Sequence, residues 1–493
     1  MIIGLTGEAV DYVGTIQDII WLFFPGAELL PNNTAGTYIK LEFGNEGNGL
    51  WAEAQFYHQG AANAYRENGT PLTPGEEANE FKRLAKLVIY LSLAAATSQL
   101  PSPWGIMTGI RPTKVVHRLL DFGWSPEKVQ GYLVDKYALS QDKALQITDI
   151  AGRQRSIILT GEQMSRFISI YIGIPFCPSR CLYCSFPSYP IKRNKLMVED
   201  FFKALIEEIK RVGEMIKSRN LIVQTIYLGG GTPTSLNLDM LLTLMDTINL
   251  YLKDSNTVEF TVEGGRPDTL STEVLTLLAE AGVDRLSINP QSMVEKTLKV
   301  IGRAHSIEDI YQAMAIARKV KFKTINMDLI IGLPGETPRD VQETVNRVIE
   351  LAPENLTIHS LAVKRASDLK QRLEEFPQAS AEEAVEMWQI TANGALALGQ
   401  HPYYMYRQKQ MVGNLENIGY TKPGHACIYN VQMIEERQTI VGLGVGAGSK
   451  WVNPYDLTLV NEYNAKEPRQ YVDRLQEYLT RKVNWLGKVG SKE

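Results

Sequence analysis

Three of the four cysteines of this 493-residue chain lie within eight residues, at Cys177, Cys181 and Cys184. The spacing is C-x3-C-x2-C, and three thiolates from one short loop can bind three irons of a [4Fe–4S] cube. The fourth iron is then without a protein ligand, which is useful only if another molecule binds there. Zinc is the main alternative, but a structural zinc site takes four ligands, usually from two paired clusters. The spacing therefore favours an iron–sulfur cluster over zinc and over chance packing of thiols.

Glycine-rich and polar segments follow other apolar runs of the chain. Consecutive glycines in Gly229-Gly230-Gly231-Thr232 allow the backbone to approach a ligand closely, although an ordinary strand-to-helix turn is the alternative. Glu263 and Gln291 come at the ends of apolar runs, and Asp328 lies inside one, where an unpaired carboxylate is costly. For each polar residue alone, a salt bridge between neighbouring strands is the alternative. Three such positions in register favour a binding site.

The segments that carry these residues alternate between strands and amphipathic helices such as 198–216. We predict six strands, at 168–174, 225–228, 258–263, 285–289, 325–331 and 356–361. Their spacing is mostly the 30 or so residues that a strand–helix–strand unit takes. The pattern predicts an α/β fold, an incomplete (β/α)6 TIM-like barrel with functional groups at the C-terminal ends of its strands. An open doubly wound sheet gives nearly the same pattern.

Two further regions flank the predicted barrel at 166–395. Residues 1–160 are predicted to form an α+β domain, with a hairpin over 38–56 and helices over about 74–96, 113–121, 126–136 and 140–153. Residues 396–493 are predicted to be an α+β region that covers the barrel mouth. Their glycine run, Gly442–Gly448, lacks the Gly-Lys-Ser/Thr of a phosphate loop and predicts a tight strand-to-helix turn.

The composition is that of a folded protein. Hydrophobic residues make up 44% and charged residues 22%, which excludes a disordered chain. The 51 Lys+Arg against 55 Asp+Glu give a formal charge of -4, which does not favour a strongly basic nucleic-acid binder. Apolar runs such as 87–96 are shorter than the roughly 20 residues of a membrane span, and the N-terminus has no basic signal segment. We therefore expect a cytoplasmic protein without a membrane span or a nucleic-acid partner.

The cysteine motif, placed just after the first barrel strand, strongly resembles the signature of the radical S-adenosylmethionine (SAM) family. The other motifs resemble the oxygen-independent coproporphyrinogen III oxidase (coproporphyrinogen dehydrogenase) family over about 170–450. The long N-terminal extension and the segment 358–365 resemble its longer, HemZ-type branch. The resemblance implies that SAM chelates the open iron and that an electron from the cluster cleaves SAM to a 5′-deoxyadenosyl radical. That radical takes a hydrogen atom from the substrate.

The resemblance also implies the site, residue by residue. Cys177, Cys181 and Cys184 match the cluster ligands. The positions that match family contacts to SAM are Tyr171, Tyr183, Gly230, Gly231, Thr232, Glu263, Gln291, Arg303, Asp328 and Ala362. The implied reaction is oxidative decarboxylation of two propionates of coproporphyrinogen III to vinyls, giving protoporphyrinogen IX. The implied partners are this tetrapyrrole substrate and an electron donor such as flavodoxin or ferredoxin.

One departure from the family pattern bears on the activity. Dehydrogenases of this group carry a further cysteine two positions beyond the third ligand, where this chain has Phe186. Heme-chaperone relatives lack that cysteine too, so a heme-binding chaperone and an enzyme for another tetrapyrrole are the alternatives. Cys427 either replaces the missing thiol or is a buried packing residue, and packing is the more common role. His359 and His425 are candidate axial heme ligands, although hydrogen-bonded structural histidines are more common.

Overall fold

The structure, a computed structural model, describes residues 1–47, 49–99, 102–408, 411, 413 and 415–490. The chain divides into two compact units, residues 1–151 and 152–493. None of the described helices combines the length and the apolar character needed to cross a membrane.

The first unit has one five-stranded sheet, in the order β2-β1-β3-β4-β5. The predicted hairpin is confirmed as the antiparallel pair β3–β4, and the predicted helices begin and end within a few residues of those observed. Side chains that alternate along β3 and β4, among them Ile39 and Phe56, join helices α1 and α2 in one hydrophobic core. The strands are β1 (Ile2–Gly7), β2 (Glu28–Pro31), β3 (Tyr38–Glu46), β4 (Gly49–His58) and β5 (Ala61–Gly69). The helices are α1 (Val13–Phe23), α2 (Glu77–Thr97), α3 (Thr113–Asp121), α4 (Pro126–Tyr137) and α5 (Gln141–Gln154), the last of which crosses the boundary between the units.

The second unit is built on an eleven-stranded sheet, in the order β14-β15-β13-β12-β11-β10-β9-β6-β16-β17-β18, with β7 and β8 forming a separate pair. Its strands are β6 (Phe167–Ile174), β7 (Phe176–Cys177), β8 (Tyr189–Pro190), β9 (Ile222–Gly230), β10 (Glu259–Glu263), β11 (Arg285–Ser287), β12 (Thr324–Ile331), β13 (Asn355–Ser360), β14 (His401–Tyr406), β15 (Asn417–Thr421), β16 (Thr439–Gly444), β17 (Gly448–Val452) and β18 (Leu459–Tyr463). Its helices are α6 (Glu162–Arg166), α7 (Lys195–Ser218), α8 (Leu238–Tyr251), α9 (Thr272–Glu280), α10 (Glu295–Val300), α11 (Ile307–Val320), α12 (Pro338–Leu351), α13 (Asp368–Gln371), α14 (Ala381–Ala397), α15 (Ile428–Glu435), α16 (Pro468–Asp473) and α17 (Leu475–Leu486).

The six predicted strands are present as β6, β9, β10, β11, β12 and β13, and each pairs in parallel with the next. Their spatial order follows their chain order, whereas the order in a doubly wound sheet reverses at a switch point. The partial-barrel prediction is therefore confirmed. The helices between the strands cover the sheet, and α7 does so with a buried stripe that includes Phe201, Leu205 and Ile209.

The C-terminal segment adds a parallel strand that the periodicity did not predict. β16 pairs in parallel with β6, and the turn after it leads into the antiparallel β17. The prediction of a strand-to-helix turn at Gly442–Gly448 is therefore wrong, because this turn joins two strands. Gly442, near the end of β16, is explained by close packing, since a Cβ there would lie 2.6 Å from the carbonyl oxygen of Gly448.

Candidate functional site

The loop that carries the three cysteines follows β6 and is fixed at its middle. The Leu182 N–H donates to the carbonyl of Ile301 at 3.0 Å, and the Leu182 carbonyl accepts from the Leu369 N–H at 2.9 Å. The Leu182 side chain is buried against Leu298 and Ile301. These contacts hold the loop over the C-terminal ends of the barrel strands.

The three cysteines are half-buried, and their thiols are near enough for the charge of one to act on another. Burial raises the pKa of the Cys177 thiol, and it raises the pKa of Cys184 to about 11, with smaller increases from Cys181 and Cys177. Within the described residues, no three His, Cys, Asp or Glu side chains are placed around a single metal ion. Three neighbouring thiols on one loop fit an iron–sulfur cluster with one open iron, whose wider frame does not need ligands converging on one point.

The glycine-rich segment at the end of β9 lies directly against the cysteine loop. The Gly231 N–H donates to the Ile174 carbonyl at 2.7 Å, and the Thr232 hydroxyl lies 3.3 Å from the Cys177 sulfur. A Cβ on Gly231 would lie 2.6 Å from the Phe176 carbonyl oxygen and 3.0 Å from the Cys177 sulfur. The absence of a side chain thus allows this segment to pack on the strand that presents the first thiol.

Two carboxylates face the interior of the barrel without a Lys or Arg partner among the described residues. Glu263 accepts hydrogen bonds from the Tyr227 hydroxyl and, at 3.3 Å, from the Gly230 N–H. Burial is the main reason that its pKa is raised from 4.5 to about 7, and the charge of the nearby Asp328 contributes to this increase. Asp328 accepts from the Asn326 amide at 2.8 Å. Among the described residues, Glu263 therefore has no salt bridge to a neighbouring strand, whereas Asp328 on β12 lies 3.8 Å from His359 on the neighbouring β13, an ion pair only when the imidazole is protonated.

Asp328 also lies near a histidine. The His359 Nε2 is 3.8 Å from the carboxylate, and the Tyr406 hydroxyl is 3.4 Å from Nδ1 of the same ring. Both ring nitrogens of His359 thus face polar neighbours within the barrel. The interpretation of His359 as a hydrogen-bonded structural histidine agrees with these contacts.

Arg303 is a buried cation whose guanidinium donates hydrogen bonds to three separate loop segments. Its Nη1 donates to the Tyr183 hydroxyl at 3.2 Å, and its Nη2 donates to the carbonyls of Gly265 and Asn289 at 2.6 Å each. The side chain is 6% exposed, its Nε is unpaired, and no described carboxylate forms an ion pair with it. Because a buried charge is costly without a partner, this guanidinium is suited to an anionic group of a ligand.

Gln291 has a backbone conformation that a side chain rarely adopts. Its φ is +67°, and the conformation is held by hydrogen bonds from its N–H to the Asp328 carbonyl and from the Ile330 N–H to its own carbonyl, both at 3.0 Å. Its side-chain oxygen is buried without a partner among the described residues. Strain of this kind is common at binding sites.

Contacts thus connect twelve of the thirteen predicted site residues into one constellation, and Ala362 alone is not connected to it by the described contacts. Ala362 follows β13 and pairs in an isolated bridge with Met411. Tyr171 on β6 belongs to this group, because its ring stacks on that of Tyr227 with the centroids 6.2 Å apart. The charge of Glu263 also helps to raise the pKa of Tyr171. The sequence reasoning missed Tyr227, whose place two residues before Gly229 on an alternating strand was an available signal.

Cys427 lies at the opposite end of the barrel from the cysteine loop. Its sulfur is 3.4 Å from Oε1 of Glu259, which begins β10, and the residue is 1% exposed. Glu259 also accepts the N–H groups of Ile428 and Tyr429 at the start of α15. The packing interpretation of Cys427 is therefore the one that the structure supports. His425 lies in the same region and hydrogen-bonds Thr324 at 2.9 Å, as a structural histidine does.

These features define a radical SAM protein, and the family model of the radical SAM superfamily matches residues 171–348. The chain is 39% identical over 419 residues to the oxygen-independent coproporphyrinogen-III oxidase-like protein HemZ of Bacillus subtilis, covering 84% of each chain. It is 38% identical to the heme chaperone HemW of the same organism over 48% of this chain and 62% of the relative. Coproporphyrinogen III oxidase (HemN) from Escherichia coli shares the fold, with a TM-score of 0.52 and 24% identity over 66% of this chain and 72% of that chain. The chain belongs to the HemN/HemW family of radical SAM proteins.

The cofactors of this superfamily are a [4Fe–4S] cluster and SAM. The residues present fit both groups. Three thiols without a fourth protein ligand among the described residues leave one iron open, and the guanidinium of Arg303, whose Nε has no partner among those residues, suits a carboxylate such as that of SAM.

Proposed function

We propose that this protein catalyses the oxygen-independent oxidative decarboxylation of coproporphyrinogen III to protoporphyrinogen IX. One observation carries the proposal: three thiols, a buried guanidinium without a described ion-pair partner and two carboxylates without a described Lys or Arg partner occur together at one end of the barrel. The name of the HemZ relative points to the same substrate class. We propose that it acts in the cytoplasm, with an electron donor such as flavodoxin or ferredoxin.

In this proposal Cys177, Cys181 and Cys184 hold the cluster. When bound, the cluster and SAM together would supply abstraction of a hydrogen atom from each of two propionates, and loss of CO2, with one electron passed to an external electron acceptor, would complete each vinyl. Thr232 stabilises the first ligand through its hydroxyl contact with the Cys177 sulfur. The contacts of Leu182 with Ile301 and Leu369 keep the loop in place.

The remaining members of the constellation would orient SAM. Arg303 offers its charge to the SAM carboxylate, and Tyr183 and the carbonyls of Gly265 and Asn289 hold the guanidinium in place. Glu263 and Asp328 offer acceptors for the cationic and hydroxyl groups of SAM. The other proposed contacts are Tyr171, Gly230, Gly231, Thr232, Gln291 and Ala362.

A heme chaperone is the second candidate, because one observation favours it. Phe186 stands where the dehydrogenases have a further cysteine, and its side chain is 60% exposed beside the cluster loop. A large exposed apolar side chain suits contact with a tetrapyrrole face or a partner protein better than thiol chemistry. The HemW relative carries the name of such a chaperone.

Anaerobic turnover distinguishes the two candidates. Reconstituted full-length protein is incubated with SAM, a reductant and coproporphyrinogen III, and the product masses are measured. We expect the substrate mass to fall twice, each time by the mass of formic acid (CO2 plus two hydrogens), and one 5′-deoxyadenosine to form for each loss. An unchanged substrate mass, together with binding of heme in a parallel titration of the same protein, would instead support the chaperone function. Protein with Cys181→Ser is the control, and it should give neither product nor 5′-deoxyadenosine.

A further inference from the structure

Arg266 is a second buried cation at the cysteine loop, and the roles assigned above do not use it. The residue is 3% exposed. Its Nη1 lies 3.8 Å from the Cys181 sulfur and donates to the Ser179 hydroxyl at 3.1 Å. Its Nε and Nη2 donate to the carboxylate of Asp268 at 3.0 and 3.3 Å. One edge of the guanidinium therefore faces the loop, and the other faces a carboxylate.

The two charges of this pair do not act equally on the sulfur. The Asp268 side chain is 26% exposed, so water screens its charge in part, whereas the guanidinium is enclosed and contacts the sulfur directly. His305, close to both Arg266 and Arg303, supplies no compensating negative charge, because an imidazole is neutral or cationic. Neither of its ring nitrogens has a partner among the described residues. The pair therefore makes a net positive contribution to the electrostatic potential at Cys181, and Asp268 reduces that contribution.

We propose that Arg266 and Asp268 set the reduction potential of the cluster, Arg266 raising it and Asp268 lowering it. The inference rests on the proposed binding of the cluster by Cys177, Cys181 and Cys184. Reduction adds one negative charge to the cluster, and a nearby cation with an N–H directed at a ligand sulfur stabilises the reduced form. Arg266 thus makes the cluster easier for its electron donor to reduce, and it acts through Cys181 rather than on SAM or substrate.

The test is a redox titration of the reconstituted full-length protein without SAM, followed by the electron paramagnetic resonance signal of the reduced cluster. Arg266→Gln should shift the midpoint to a more negative potential, and Asp268→Asn should shift it to a more positive one. We expect each shift to correspond to at least a tenfold change in the equilibrium constant for reduction, about 59 mV for one electron. Arg266→Lys keeps the charge, and its midpoint potential should lie between those of the wild type and Arg266→Gln.

A structural role for the pair would give a different pattern. If Arg266 and Asp268 only held the loop in shape, the two variants would shift the midpoint in the same direction or leave it unchanged, and either result overturns the inference. Arg318→Gln removes a guanidinium that pairs with Glu354, outside this site, and should leave the midpoint at the wild-type value. Iron and sulfide are measured first, since wild-type protein without a cluster would refute the proposed function instead. If Arg266→Gln loses the cluster, Asp268→Asn must still shift the midpoint positively.

Discussion

Asp328 and Glu263 occupy positions that are difficult to explain by folding alone. Each lies on an apolar strand, and neither has a Lys or Arg partner among the described residues. Burying either charge therefore costs free energy and opposes folding. Their neighbours donate hydrogen bonds from neutral groups, which reduces that cost only in part. A cationic ligand that contacts both would remove the remaining cost, which is the physical reason to assign them to SAM.

Removing the charge of Asp328 should therefore weaken SAM binding more than it affects the fold. Asp328→Asn keeps the shape of the side chain, and we expect the dissociation constant for SAM to rise about tenfold to a hundredfold, the range for one lost charged hydrogen bond. Isothermal titration of the reconstituted protein measures this change, with iron content as a check on the cluster. Glu343→Gln, on the exposed face of α12, is the matched control and should bind SAM normally. Normal binding by Asp328→Asn would refute the assignment.

Glu263 should also leave a signature in the pH dependence of stability. Its pKa in the folded protein is about 7, above its ordinary value of 4.5, so the folded apoprotein holds this proton more tightly than the unfolded chain does. The resulting stability is fully present below pH 4.5 and is lost as pH rises through 7. Glu263→Gln has no such proton to lose. From pH 5 to pH 8, its free energy of unfolding should therefore increase by roughly 1–3 kcal/mol relative to that of the wild type. Urea unfolding of both apoproteins measures the difference, and a difference independent of pH would contradict the raised pKa.

At the scale of the elements, the periodicity predicted the strands well because each barrel strand is a short apolar run between turn signals. The observed β6 and β12 begin and end within a residue of the predicted bounds. Periodicity does not say which distant segments pair, and for that reason β16 was missed as the parallel neighbour of β6. Periodicity also does not show which side chains meet across loops. The contact of Arg266 with Cys181 is of this kind, and the sequence alone does not predict it.

The glycine-rich element provides a direct test of how β9 supports the cysteine loop. Gly231→Ala would place a methyl group 2.6 Å from the Phe176 carbonyl oxygen, so the loop must move, at a cost of about 1–3 kcal/mol. We expect lower iron and sulfide content after reconstitution and a lower melting temperature. Gly131→Ala on α4 is the control, because a Cβ there meets nothing within 4 Å. That variant should be neutral or slightly stabilised, and full cluster content in Gly231→Ala would show that the close approach is not needed.

At the scale of the whole second unit, one buried carboxylate connects the barrel to the C-terminal segment. Glu208 of α7 is fully buried and accepts from the Gly444 N–H and the Tyr471 hydroxyl, both at 2.7 Å. It also forms an ion pair at 3.0 Å with Lys482 of α17, which is itself buried. Strand β16 and helices α16 and α17 thus meet at a single side chain. The predicted role of residues 396–493 as a cover for the barrel mouth stays a prediction, whereas their anchoring through Glu208 is observed.

Truncation of this side chain should therefore destabilise the second unit strongly. Glu208→Ala leaves Lys482 buried without its carboxylate, and breaking a buried ion pair on one side costs about 3–5 kcal/mol. Glu208→Gln should cost less, since the amide oxygen can still accept one of the hydrogen bonds. The neighbouring Glu207→Ala, at an exposed position of the same helix, should change the free energy of unfolding by no more than about 0.5 kcal/mol. Urea unfolding of the apoproteins measures all three, and equal stability of the variants at 207 and 208 would show that the C-terminal elements do not depend on this contact.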